Sequence, residues 1–273
     1  MFGYQKSRWQ LSMIAEQVEW MPGRAAATVS QLLSRLGIHY KRGREYVHSP
    51  DRHYGPKVDL IEQMRQRAYD QPAQYAFLYL DELTFYRQPS VARAYEAQGS
   101  QQPLAYRSHK SNTASRILGT LDALTGQVLY RQRSRTTIPC FTGFWYEIYN
   151  AYAWAETIYI VVDNWPVHFH PDVLAPLQTQ HLPWPPTLPA NWSTEPSANA
   201  QHDNLPIQLL CLPTYASWLN PIEKLWRWLR QDILHLHRLA HDWPLLTSHV
   251  NSFLDRFALP SDQLLRYVGL LPI

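Results

Sequence analysis

At 273 residues, 45% of them hydrophobic, the chain can build one large domain or a large and a small one, and wholesale disorder is excluded. Two cysteines, Cys140 and Cys211, exclude a disulfide framework and a cysteine-cluster metal site, and point to a reducing, cytoplasmic setting. The net charge of +3 is uneven, with nine Lys/Arg against four Asp/Glu in residues 1–57 and eight against two in residues 87–135, which leaves the rest acidic. Two basic blocks suit a phosphate-rich partner, because lysine and arginine displace its counterions; ordinary solvated surface has the same composition.

Residues 1–10 are polar and mixed, so no signal peptide is expected. Leu11, Ile14, Ala15 and Val18 then recur at helical spacing, as do Ala26, Val29, Leu32, Leu33 and Leu36, with Gly37 as a stop. Two short helices joined through Met21-Pro22-Gly23 read as a helix-turn-helix-like DNA-binding unit. In that reading the second helix, which carries Arg35, lies in a major groove, and Lys41, Arg42 and Arg44 track phosphates. A plain helical hairpin packed on a larger domain has the same pattern. Residues 46–57, with Pro50, Gly55 and Pro56, read as a linker, which sets 1–57 apart from a larger domain over 58–273.

A connecting helix is expected over 58–69. The apolar, aromatic stretch 75–80 reads as a strand ending at Asp81-Glu82, and 116–124 with 127–131 as a hairpin around Thr125-Gly126. A helix with an aromatic face is expected over 141–154. The most apolar region, 144–162, is broken by Glu147 and Glu156, which argues against a membrane span. Residues 157–162 are β-branched and read as a buried strand ending at Asp163-Asn164, with another short strand over 207–212. A helix is expected over 219–236, with Asn220 as N-cap and Pro221 first in the helix, and a last helix over 243–257. The alternation implies an α/β domain with a mixed sheet. Residues 181–206, rich in proline, carry no periodic signal and read as a long loop, of a kind usually functional or disordered.

Asp81 and Asp163 each follow an apolar strand, at the sheet edge where ligand sites of open α/β sheets gather. Glu223 lies in the first turn of its helix, a position the helix dipole favours on structural grounds alone. Three carboxylates on separate elements can hold two magnesium ions through hard oxygen ligands, yet an Asp after a strand is also a common turn residue. Asn164 and His168 read either as groups that orient Asp163 or touch a scissile phosphate, or as a turn asparagine and a surface histidine. Glu82 faces the other side of its strand, so a structural role is expected. Lys224, Arg227 and Arg230 line the helix of Glu223 and suit a DNA backbone; Arg227 and Arg230 equally suit surface pairs with Glu223 or Asp232. Trp226 shares the apolar stripe and is expected in the core.

Three stretches resemble the catalytic motifs of bacterial insertion-sequence transposases of the mariner superfamily: Phe77-Leu78-Tyr79-Leu80-Asp81-Glu82, Ile160-Val161-Val162-Asp163-Asn164 with His168, and Leu212-Pro213-Thr214-Tyr215 through Leu219-Asn220-Pro221-Ile222-Glu223 to Trp226. The third is the most specific. Residues 28–37, 40–44 and 48–51 also resemble the second DNA-binding module of these transposases. The resemblance runs from about Leu11 to the end and implies an RNase H-like catalytic domain. It places the metal-binding catalytic carboxylates at Asp81, Asp163 and Glu223, with two Mg2+ ions, for which Mn2+ substitutes. It implies Asn164, His168 and Asn220 as supporting residues, and double-stranded DNA, both transposon end and target, as substrate. A homodimer in the DNA complex is expected, because two ends must be joined. The family usually carries a further helix-turn-helix upstream, which a separate polypeptide could supply here, and the interval between Asp163 and Glu223 is longer than usual because of residues 181–206, an insertion expected to loop out, since loop closure costs little with added length. An inactive DNA-binding relic and a nuclease acting on RNA–DNA hybrids are the rival readings.

Overall fold

The computed structural model describes residues 9–40 and 48–272. The chain forms two compact units, Met1–Val47 and His48–Ile273.

In the first unit, helices α1 (Leu11–Gln17) and α2 (Ala26–Arg35) close on a small core of Ala15, Met21 and Val29, flanked by Leu11, Ile14, Val18, Leu32 and Leu33. Apart from Met21, these belong to the helically spaced series that predicts the pair, of which Leu36 is instead exposed. α2 ends in a Schellman turn: Ile38 N donates to Leu33 O and Gly37 N to Ser34 O, with Gly37 at φ +72°. Residues 18–25 separate the helices, a longer connection than the three or four residues of the tightest helix-turn-helix. Arg35 sits in the last turn of α2, whereas Lys41, Arg42 and Arg44 lie outside the described residues.

The second unit is built on a five-stranded mixed sheet in the order β3-β2-β1-β4-β5. β1 (Tyr75–Tyr86) pairs antiparallel with β2 (Ala114–Asp122), which pairs antiparallel with β3 (Val128–Arg133). On its other side β1 runs parallel to β4 (Thr157–Val162), and β4 parallel to β5 (Ile207–Cys211). Alternation along β1 sends Ala76, Leu78 and Leu80 to one face, against α4 (Ile138–Ala151). Tyr75, Phe77 and Tyr79 face the other side with α3 (Tyr54–Asp70). Further along that side, Leu83 and Phe85 pack with α6 (Ile222–Leu229), α7 (Trp243–Asp255) and α8 (Asp262–Val268). This is the mixed sheet flanked by helices expected of an RNase H-like domain. The short α5 (Pro171–Leu174) completes the helices. None of the described helices is long and apolar enough to cross a membrane, and both cysteines are free.

Several elements differ from the sequence expectation. β1 continues to Tyr86, past the two acids, because Leu83 and Phe85 resume its apolar face. The helix expected over 219–236 is a 3-10 turn, then α6, then a π turn over Arg230–Leu234, and α8 was not anticipated. The linker expected up to Lys57 instead packs on the second unit: α3 begins at Tyr54, its Pro56 in the first turn where no N–H partner is needed. The proline-rich segment 181–206 is irregular but not looped out. Trp184 stacks on His53 with ring centroids 5.5 Å apart, Trp192 meets His170 at 4.8 Å, and Tyr146 donates to Gln201. Just before it, Gln180 bonds both Ile207 O and Leu209 N, which covers the outer edge of β5 against pairing with another strand.

Within the 48–57 stretch, Lys57 and Asp51 form an ion pair at 2.9 Å with both side chains 7% exposed. Burial opposes the charge on Asp51, but hydrogen bonds from Lys57, Thr214 N and His53 N outweigh it and hold the carboxyl down at about 2. A carboxyl depressed below its ordinary value of 3.8 stabilises the fold above that value. That contribution is lost as pH falls from about 4 through about 2. Asp51→Ala at neutral pH strands a buried ammonium and is expected to cost roughly 3–5 kcal/mol in urea denaturation. Unchanged stability would mean that Lys57 reaches water without its partner.

Candidate active site

The parallel register pairs Tyr79 with Val161, so Asp81 and Asp163, each two residues further on, come to the same level of neighbouring chain segments. Asp81 is on the face covered by α6, and Glu223 lies in the first turn of that helix. The two feel each other: burial, and then the charges of Glu82 and Glu223, push the Asp81 carboxyl up to about 8, with Asp163 adding to the effect. The three acids named from the sequence therefore meet at one end of the sheet. Among the described residues, however, no three His, Cys, Asp or Glu side chains are gathered closely enough to enclose a metal ion by themselves.

Asp163 is half-exposed. Its Oδ1 accepts from Trp165 N at 2.9 Å and lies 3.1 Å from His168 Nε2. Burial favours its neutral form, but the hydrogen bond and charge of His168 prevail and keep it below the ordinary carboxylate range. His168 is 1% exposed, which removes the surface-histidine reading. Its Nε2 also lies 3.5 Å from Glu82 Oε1, and Phe141 and Trp165 pack edge-on against its ring. Burial opposes protonation of His168; the carboxylates of Glu82 and Asp163 overcome it and raise its affinity for a proton. Glu82 does face away from Asp81, as strand alternation requires, but there it meets His168 and not inert core. Burial pushes its carboxyl up to about 7 against the pull of His168, and its buried Oε1 has no hydrogen-bond partner.

Two asparagines stitch these elements together. Asn164 Nδ2 donates to Leu212 O at 2.7 Å, which ties the end of β4 to the end of β5. Asn220 does not cap α6 with its side chain; Nδ2 donates to Leu80 O at 3.0 Å, next to Asp81, and its buried Oδ1 has no partner. A cleft lined by Asp163, Asn164, Trp165 and residues 212–217 opens beside them.

A family model described as DDE superfamily endonuclease matches residues 76–244, more than half of the chain. The chain belongs to this family. That bears out the resemblance drawn from the three motifs, all of whose acids fall within the matched span. Over 248 residues the chain is 25% identical to the insertion element IS630 uncharacterized 39 kDa protein of Shigella sonnei, covering 90% of this chain and 64% of that protein. It thus spans just under two thirds of that relative's length. Its fold is similar to that of the Mos1 mariner paired end complex with Mn, with a TM-score of 0.62 and 17% identity over 97% of this chain and 72% of that one. The mariner Mos1 paired end complex with Mg gives a TM-score of 0.60 at 14% identity, with the same coverage.

Sequence reasoning missed how Asp81 is held. Trp226 Nε1–H donates to Asp81 Oδ2 at 2.9 Å, so the expected core tryptophan, fully buried, also orients the carboxylate. Its ring has room only because Gly119, the β2 partner of Asp81, lacks a side chain: a Cβ there would stand 2.6 Å from the ring. A lone glycine inside a strand was the available signal. Gly119→Ala must displace the ring and is expected to cost roughly 1–3 kcal/mol by urea denaturation. A silent substitution would show that the ring is not seated as described.

The basic residues divide. Lys224 Nζ donates to Val268 O, at the end of α8, and is not turned outward. Arg227 is exposed on α6 and Arg230 half-buried at the following π turn. Among the described residues neither forms the ion pair with Glu223 or Asp232 that helical spacing allowed. Exposed aromatics, Trp165, Tyr215 and Trp218, flank the cleft and the start of α6.

Proposed function

We propose that the chain is a metal-dependent DNA transposase that nicks transposon ends and joins the freed 3′-hydroxyl to target DNA. The observation that carries this reading is the meeting of Asp81, Asp163 and Glu223 at one end of the sheet in a member of an endonuclease family. The site fits divalent cations: every donor is a hard oxygen, and Asp81 is driven toward protonation by burial and then by the charges of Glu82 and Glu223, which a cation would offset. Magnesium commonly takes one or two carboxylates and completes its shell with substrate phosphate and water. When bound, two Mg2+ or Mn2+ ions supply activation of the attacking oxygen and charge neutralisation at the leaving one.

The protein's own groups position and neutralise, which is most of what phosphoryl transfer requires. Trp226 fixes the rotamer of Asp81, and His168, between Glu82 and Asp163, fixes that of Asp163. Asn164 and Asn220 hold the three carboxylate-bearing elements in register. Arg227 and Arg230 follow the DNA backbone from the helix of Glu223, and Arg35 with Lys41, Arg42 and Arg44 serves the N-terminal unit, where 1–57 was expected to act as DNA-binding unit and linker. Double-stranded DNA is the substrate, a homodimer pairs the two ends, and the location is cytoplasmic, at the nucleoid. The paired end complexes of Mos1, one with Mn and one with Mg, support the choice of DNA and metal.

The test is an excision assay in cells on a reporter with the gene's own flanking DNA, comparing wild type with Asp163→Asn. Excision by the wild type alone is expected. No excision by either, even with an upstream module supplied, favours the inactive DNA-binding relic; excision by both removes Asp163 from the site.

A further inference from the structure

Residues 212–220 run along the rim of the candidate site and deliver Glu223 to it. The segment is pinned at three places. At one end Leu212 N donates to Val162 O and Leu212 O accepts from Asn164; at the other Asn220 Nδ2 reaches Leu80 O. The middle pin comes from outside the sheet. Ser49 Oγ donates to Thr214 O at 2.6 Å, and Thr214 N donates to Asp51 Oδ2 at 2.8 Å. Two side chains thus satisfy both backbone groups of one residue, as a partner strand would.

The clasp is itself over-determined. Asp51 Oδ2 also takes Lys57 Nζ, Oδ1 takes His53 N at 2.9 Å, and Asp51 N donates to Ser49 Oγ at 3.3 Å. Ser49 and Lys57 are buried. A solvated pair of this kind would hold nothing firmly, whereas a buried one cannot open without stranding a charge. The next residue, Tyr215, has φ +54°, a left-handed conformation that costs a non-glycine residue about 1–3 kcal/mol and persists only where the surroundings enforce it. Tyr215 is 74% exposed, so its own packing does not enforce it. The adjoining clasp does.

We infer that Ser49 and Asp51 are positioning residues, whose grip on Thr214 sets the path of 213–219 and so the placement of Asn220 and Glu223 beside Asp81. The inference rests on the metal-dependent cleavage proposed above. Both Asp51 oxygens are already occupied within the protein, so neither a cation nor DNA is needed to explain this carboxylate.

The test uses the full chain with Ser49→Ala, Asp51→Asn and the conservative Ser49→Thr. Ser49→Ala removes the two hydrogen bonds of Ser49 Oγ, to Thr214 O and from Asp51 N, and keeps the buried ion pair, so it decides the matter if Asp51→Asn fails to fold. In metal-free, DNA-free protein, hydrogen exchange of the 212–220 peptide is expected to quicken about tenfold in Ser49→Ala, with β1 and β4 unchanged. On a transposon-end duplex with Mg2+, the cleavage rate constant falls about tenfold while the dissociation constant for the duplex stays at the wild-type value. Ser49→Thr restores both. Unaltered exchange in Ser49→Ala, or faster exchange with wild-type cleavage, overturns the inference while leaving the transposase reading intact. A wild type that does not cut overturns the transposase reading; faster exchange in the variant then still supports the clasp, and unaltered exchange overturns it as well.

Discussion

Asp81→Asn in the purified protein is expected to slow cleavage of a transposon-end duplex by roughly 10²–10³-fold or more, the scale on which loss of one charge-stabilising group at a reacting centre is felt. The substitution isolates charge from shape. An asparagine oxygen still accepts from Trp226 Nε1–H, and the ring remains seated over Gly119, so the sheet and α6 have no reason to move. What disappears is the anion that burial, and then the charges of Glu82 and Glu223, already push toward protonation. The variant should therefore unfold at the same temperature as the wild type or above it when no metal is present. Cleavage at the wild-type rate would take Asp81 out of the site. A marked loss of thermal stability would show instead that the carboxylate serves the fold.

Mg2+ or Mn2+ added to the metal-free wild type is expected to raise its melting temperature by roughly 5–10 °C at saturation. A ligand bound only by the native state adds about 2.7 kcal/mol at a hundred times its dissociation constant. In a domain of this size each kcal/mol moves the midpoint by about 2–4 °C. The driving force is relief at Asp81, whose carboxylate burial and then the charges of Glu82 and Glu223 push toward protonation. Asp81→Asn should flatten the response. Absence of any rise in the wild type would argue that the carboxylates do not collect a cation without DNA, and an equal rise in both proteins would put the cation elsewhere.

The candidate carboxylates were legible because each stands at a local signal: an apolar strand that meets an acid, or an Asn-Pro before an amphipathic helix. β4 has the bounds its β-branched residues predict, Thr157–Val162. The course of β1 was less legible. Asp81 and Glu82 interrupt its apolar run, and only the packing of Leu83 and Phe85 under α6 and α7 carries it on to Tyr86. The stretch 48–57 looked like a linker because proline and glycine punctuate it. Its place on the second unit depends on Ser49 and Asp51 meeting Thr214, more than 160 positions away. Residues 181–206 show the same limit, since aperiodic proline-rich sequence says nothing of the histidines that Trp184 stacks on and Trp192 meets edge-on.

By itself, the sequence determined the periods of helix and strand, the mixed α/β class, the helix pair at the N-terminus and the acids that motif resemblance singles out. Those properties follow from residues within a few positions of one another, where side-chain alternation and helical spacing act. Only the tertiary structure decided that Glu82 meets His168, that Gly119 makes room for the tryptophan that holds Asp81, that Lys224 turns to Val268, and that Asn220 bonds Leu80 and leaves α6 without a side-chain cap. Each of these joins groups far apart in the chain, and whether they meet depends on the register of neighbouring strands and on burial, which gives an unpaired polar atom its cost.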